Sequence, residues 1–144
     1  MTPHRDSETI FLRHQPGTRP RDVLHSLVVE DGKHSDHPAI RGVCAAIMRV
    51  VGVEADRLGR VLLIRLKPQG RITLHTDIGA YAEATERYHL PVITNPDAWL
   101  EVDGDRHHME AGVLYFFEKH RPHCGGNDGT EGRVHLVVDV FRER

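Results

Sequence analysis

RVLLIRLKPQGRITLHTD, residues 60–77, carries the β pattern of this chain most plainly. Val61, Leu63 and further apolar residues run through Arg65-Leu66-Lys67 into a turn at Pro68-Gln69-Gly70. Beyond the turn, Ile72-Thr73-Leu74 alternates towards His75, the two-residue period of a strand with one face covered. The pattern continues downstream. Residues 88–94 (YHLPVIT) and 99–102 read as strands separated by Asn95-Pro96-Asp97, and Val102-Asp103-Gly104-Asp105 reads as a hairpin turn. After Gly112, the run 113–117 (VLYFF) reads as a buried strand, and 134–141 (VHLVVDVF) closes the chain as another.

Upstream the pattern is mixed. Residues 7–13 (SETIFLR) suit a short strand, and the prolines and glycine of 15–20 (QPGTRP) break any regular element. One helix is expected, capped by Ser35 or Asp36, with Pro38 in its first turn and Gly52 just past its end. Its apolar face reads Ile40, Val43, Cys44, Ile47, Val50 at helical spacing. One helix with seven or so short strands points to a β sandwich or jelly roll, a mostly β fold that can hold a small ligand in its mouth.

With 144 residues the chain is expected to form one domain, with residues 1–58 supplying a strand, a loop and a helix and residues 59–144 the core barrel. A net charge of −2 gives no electrostatic ground for binding nucleic acid or an anionic membrane, and no apolar run has transmembrane length. Cys44 and Cys124 are too few for a disulfide framework and the start is not a signal peptide, so a cytoplasmic setting is expected. Cys124 is expected to pack, and Trp99 with Tyr115, Phe116 and Phe117 to form core.

The candidate chemistry lies in His75-Thr76-Asp77, in His123 and, ten residues later, in Arg133. His75 and Asp77 are two apart, so an extended backbone projects both to one side, where they can share an ion. Alone, an H-x-D triplet is commonly a solvated loop. Two imidazoles and one carboxylate without a thiolate suit ferrous iron held on one face, the opposite positions open for a bidentate cosubstrate and O₂. His123 is the expected distant ligand; His120 is the competing one, expected instead as an exposed loop histidine, and neither His107 nor His108 is assigned to metal. Arg133 opens the last strand and needs a carboxylate partner there, either a salt bridge within the protein or a carboxylate-bearing cosubstrate. Arg87 and His89 share one strand face, which suits either solvent or a binding site.

Four segments, RLKPQGRITLHTD, RYHLPVITNPD, MEAGVLYFFEKHRPHCGGN and RVHLVVDVF, together resemble the aspartyl/asparaginyl β-hydroxylase-like branch of the Fe(II)/2-oxoglutarate oxygenases. The resemblance runs from about Arg60 to Phe141 and is weak over residues 1–58. It implies a double-stranded β-helix, cupin-like, with iron on His75, Asp77 and His123. It also implies that 2-oxoglutarate is bound by Arg133 at its distal carboxylate, with Arg87 and His89 near its other end. Some animal members have glycine where this chain has Asp77. A serine that helps hold the cosubstrate in some relatives aligns with Ile64, and Thr73 is a candidate replacement.

The expected activity is hydroxylation of an aspartyl or asparaginyl residue in a peptide, or of a free or carrier-bound amino acid such as proline. The alternatives are a degenerate barrel that only binds a ligand, and an iron dioxygenase that dispenses with 2-oxoglutarate and so has no use for Arg133. Arg13 and His14, at the end of the first strand, are candidates for lining a substrate pocket.

Overall fold

The computed structural model describes residues 3–13, 28–30 (backbone only) and 37–142. The expected loop 15–20, His14 and the capping candidates Ser35 and Asp36 lie outside the described residues. The fold is mostly β, with two facing sheets that are antiparallel apart from one strand pair. Its strands are β1 (Ser7–Arg13), β2 (Val28–Glu30), β3 (Leu58–Leu66), β4 (Arg71–His75), β5 (Thr85–Ile93), β6 (Ala98–Val102), β7 (Asp105–His107), β8 (Tyr115–Phe117), β9 (His123–Asn127) and β10 (Arg133–Phe141). The helices are α1 (Pro38–Val51) and α2 (Ala80–Ala84). The larger sheet has the order β2-β1-β3-β10-β5-β8 and the smaller β4-β9-β6-β7. The one parallel pair is β1 with β2. This is the jelly-roll architecture expected from the strand pattern, with one N-terminal helix packed outside.

Strand β10 explains the layering. Its side chains alternate, so Leu136, Val138 and Val140 meet Leu12, Val61 and the α1 residues Cys44, Ile47 and Met48 on the outer face. Full burial of an Ile or Met side chain contributes about 1.5–3 kcal/mol, which is how α1 is held on the sheet. The other half of β10, Arg133, His135, Val137 and Asp139, faces the smaller sheet, where Val137 packs on Phe11, Leu62 and Ile64. A polar row is thereby built into the interior.

Helix α1 begins at Pro38, and its cap is His37, whose Nδ1 accepts from the Ala39 N–H at 3.2 Å. It ends at Gly52, in the left-handed region at φ 80°, as expected. One assignment to its buried face needs correction. Val50 is 77% exposed, and Met48 takes its place in the core, because the buried stripe is narrower than the apolar one. Strand β8 is shorter than the run 113–117, with Val113 and Phe116 exposed. It sits at the sheet edge, so one face alone turns inward, with Phe117 buried against Leu100 and Met109 and Tyr115 packed beside them. The turn Asp103-Gly104, both at positive φ, joins β6 to β7 as the sequence indicates. No helix among the described residues is long and apolar enough to cross a membrane.

Candidate metal centre

The site forms where β4 ends and β9 begins. His75 and His123 are cross-strand partners, and their rings lie 4.2 Å apart between centroids. Asp77 follows β4 by two residues, and its N–H donates to the Lys119 carbonyl at 3.0 Å, which ties this segment to the connection entering β9. Asp77 Oδ1 lies 3.5 Å from His75 Nε2 and 3.8 Å from His123 Nε2. One ligand atom from each of the three residues falls within 4.8 Å of the others, a spacing that fits a single metal ion.

The orientation of both imidazoles is set by the backbone. His75 Nδ1 donates to the Thr73 carbonyl at 2.7 Å, and His123 Nδ1 donates to the Arg121 carbonyl at 2.7 Å. With Nδ1 carrying the proton, each Nε2 presents its lone pair to the centre, the tautomer that metal ligation needs. Asp77 is held from behind. Arg87 Nη1 donates to Asp77 Oδ2 at 2.6 Å, leaving Oδ1 towards the imidazoles, while its Nε and Nη2 donate to Asp139 at 2.8 and 3.1 Å. Burial raises the Asp77 carboxyl, but His75, when protonated in the absence of a metal, and the charge of Arg87 outweigh it, holding the acid well below the usual carboxylate range. The residues fit a divalent cation: two neutral nitrogens and one ionised oxygen on one side, each fixed by a partner of its own.

Rings lead away from the centre into the interior. Phe117 stands edge-on to His123 at 4.8 Å and lies 4.8 Å from His89, and His89 shares an Nδ1–Nδ1 hydrogen bond of 3.0 Å with His135. Arg133 comes next on the same face of β10. It is 3% exposed and forms no hydrogen bond or ion pair with any described residue, and its Nε is buried without a partner. Burial without a counter-charge pulls its pKa down to about 10. The salt-bridge alternative for Arg133 is therefore not realised among the described residues. Arg87 and His89 do share the inner face, although Arg87 is engaged by the two aspartates.

Several positions fall differently from expectation. His123 opens β9, a strand that the sequence pattern did not mark. The Gly125-Gly126 pair belongs to that strand because a Cβ at Gly126 would lie 2.5 Å from the Trp99 ring. Trp99 is half-buried rather than core, donating to Asp128 at 3.0 Å with Arg106 stacked on it. His120 and His107 are exposed, and His108 Nδ1 donates to the Ala98 carbonyl at 2.8 Å. Thr73 is exposed and engaged through its backbone, so it does not stand in for the family serine. Arg13 lines a groove beside α1, not the centre. Cys124 is half-buried, its thiol 3.8 Å from Glu101.

His4 escaped the sequence reading. The segment leading into β1 runs beside β4 of the smaller sheet, with the Thr73 N–H donating to the Pro3 carbonyl, and this sets the His4 ring edge-on to His75 at 4.8 Å. Burial, helped by the charge of His75, lowers its pKa to about 4. His4 also lines a cavity of about 190 Å³ together with Asp77, Arg60, Tyr81, Arg87 and Lys119. Nothing in a polar N-terminal stretch signals this role, which depends on the segment running beside β4.

The profile for aspartyl/asparaginyl beta-hydroxylases matches residues 24–143. The chain belongs to this family. The matched stretch contains His75, Asp77 and His123. Among solved structures, the fold is similar to a predicted oxalate decarboxylase from Thermotoga maritima (15% identity, TM-score 0.48, 66% of this chain and 74% of that one). It is also similar to the cupin_2 domain of an XRE-family transcriptional regulator from Enterobacter cloacae (13% identity, TM-score 0.48, 60% and 84%). Neither likeness speaks to substrate or activity. No curated protein matches the chain at a significant level.

Proposed function

We propose that this protein is an Fe(II)/2-oxoglutarate-dependent dioxygenase that hydroxylates an aspartyl or asparaginyl residue, or a related amino-acid substrate. The observation that carries the reading is the buried Arg133 guanidinium, without a carboxylate partner, on the interior face that leads to the His75–Asp77–His123 cluster. A buried cation is costly unless paired, and the distal carboxylate of 2-oxoglutarate is the partner that the family supplies.

Ferrous iron, with 2-oxoglutarate and O₂, supplies the oxidising power to hydroxylate an unactivated C–H bond. The protein's part is to hold and orient. His75, Asp77 and His123 would hold the metal from one side, and the Thr73 and Arg121 carbonyls keep the imidazoles in the ligating tautomer. Arg87 fixes the Asp77 carboxylate through its second oxygen and is itself anchored by Asp139. Phe117, with Leu100 and Met109, keeps water away from this side of the centre.

The cavity beside Asp77 is the proposed substrate chamber. Arg60 and Lys119 line it, which favours an acidic amino acid or peptide. Residues 1–144 are proposed to act as a single oxygenase domain, a reading supported by β1 pairing along β3 within the main sheet. The test is release of succinate from 2-oxoglutarate in the presence of Fe(II) and ascorbate. Wild type should turn over, and His75→Ala and Asp77→Ala should not. Succinate production by either variant at the wild-type rate would refute the assignment.

A further inference from the structure

Lys119 lies on the connection entering β9, is 1% exposed, and lines the cavity it shares with Asp77, Arg60 and Tyr81. Its Nζ forms no ion pair with any described residue, and its one hydrogen bond there runs to Thr85 Oγ1 at 2.6 Å. The direction of that bond is fixed. Thr85 is fully buried and its single hydroxyl proton goes to the Tyr81 carbonyl at 2.8 Å, so its oxygen accepts from the ammonium. An ammonium has three N–H donors, and Thr85 takes one of them. A buried cation without a counter-ion is costly, so donors left over at a cavity wall mark a place for an anionic acceptor. Resting on the oxygenase reading above, we infer that Lys119 receives the substrate's side-chain carboxylate in this chamber and so selects an aspartyl over an asparaginyl residue.

Space, charge and chemistry agree with that ligand. The cavity, about 190 Å³, is roughly ten times the ~10–15 Å³ that a single water needs, which leaves room for a carboxymethyl side chain. Arg60, Arg87 and Lys119 bring three positive charges to the chamber, while Asp77 and the Asp139 behind Arg87 bring two negative ones. One positive charge is left unmatched. Arg87 is engaged by both aspartates and Arg60 lies over the Tyr81 ring at 3.7 Å, so the unmatched charge is assigned to Lys119. An aspartyl carboxylate answers it with a full negative charge and acceptors only. An asparaginyl amide answers with one neutral carbonyl, and its NH₂ group has nothing to donate to on an ammonium. Thr85 acts through Lys119 as a positioning residue: it tethers Nζ from the side of Tyr81 and leaves the other N–H groups for the chamber.

The test is anaerobic calorimetric titration of the full-length protein, supplied with Fe(II) and 2-oxoglutarate, with end-blocked Gly-Asp-Gly and Gly-Asn-Gly peptides. Wild type should bind the aspartyl peptide at least about tenfold more tightly, the scale of a hydrogen bond between charged groups. In Lys119→Met the ratio should fall below about twofold, with the loss confined to the aspartyl peptide. Thr85→Val should lower the ratio at least about threefold, and Thr85→Ser, which keeps the hydroxyl, should restore it. Urea denaturation should find Lys119→Met no less stable than wild type, because an apolar chain replaces a cation without a counter-ion. Should Lys119→Met fail to fold, the two Thr85 variants decide. Equal affinity of wild type for the two peptides, no uptake of the aspartyl peptide, or a preference that survives in Lys119→Met would overturn the assignment. Succinate release separates the two ideas. If wild type releases none, the oxygenase reading fails, and the same titration without iron and 2-oxoglutarate decides the carboxylate seat by the same ratios.

Discussion

His75 and His123 face each other as cross-strand partners of β4 and β9, and each donates Nδ1–H to the carbonyl two residues before it. The strand ladder thus determines both where the two imidazoles meet and which nitrogen each presents. Asp77 enters the same point from beyond the end of β4, held by Arg87. The consequences can be measured separately.

Arg87 bridges Asp77 and Asp139, and Asp139 is fully buried. Arg87→Met removes the cation and leaves two aspartates in a dry interior. It should cost about 3–5 kcal/mol in urea denaturation. Adding Asp139→Asn removes one stranded charge and should recover a large part of the loss. A cost below about 1 kcal/mol for the single variant would show that the bridge is not structural.

Arg133 behaves in the opposite way, because it pays for burial without a partner. Arg133→Met should leave stability unchanged or raise it by about 1–3 kcal/mol, while weakening 2-oxoglutarate binding at least tenfold. A marked loss of stability would mean that Arg133 serves the fold rather than a ligand.

Acid should destabilise the protein through its interior histidines. Burial, with the charge of Arg133, holds His135 well below the usual imidazole range, and burial together with Arg87 does the same for His89; His108 also faces His135. Both folded-state values are lowered, so below pH 6.5 the unfolded chain binds the additional protons. Stability present above that pH is therefore lost as pH falls. Between pH 6.5 and 5 the loss should be about 1.5–3 kcal/mol, and His135→Gln should remove roughly half of it. Superimposable pH–stability curves for the two proteins would contradict this.

Gly126 of β9 is fixed by an aromatic neighbour. Gly126→Ala would drive a methyl into the Trp99 ring, which is held by Asp128 and Arg106, and should cost about 1–3 kcal/mol. At Gly132 the added methyl meets only the half-exposed Arg65 side chain, which can move, so Gly132→Ala should cost less than about 1 kcal/mol. Equal costs would dissociate Gly126 from Trp99.

Which features were legible in the sequence follows from the range of the forces involved. Strand β1, the body of α1 and strand β10 were readable because their alternation or helical period reports burial directly. His75 and Asp77 were readable as a pair from their spacing. His123 was legible as a distant partner from its place ten residues before Arg133, and the family resemblance pointed the same way, but residue types alone do not reveal that β9 pairs with β4. The strand nature of β9 was hidden because Gly125 and Gly126 carry no alternating pattern, and Gly126 is explained only by the Trp99 ring lying against it. Val50 and Phe116 are apolar yet exposed, since α1 buries a narrow stripe and β8 is an edge. His4 and the setting of Lys119 beside Thr85 depend on contacts between distant segments, which no local pattern encodes.

The most direct test of the central claim is an anaerobic visible spectrum of the protein with Fe(II) and 2-oxoglutarate. A weak charge-transfer band from the chelated pair should appear with wild type, persist in Gly132→Ala, and be lost in His75→Ala and His123→Ala. Absence of the band in wild type at saturating cosubstrate, or its full intensity in His123→Ala, would contradict a ferrous centre built on these residues.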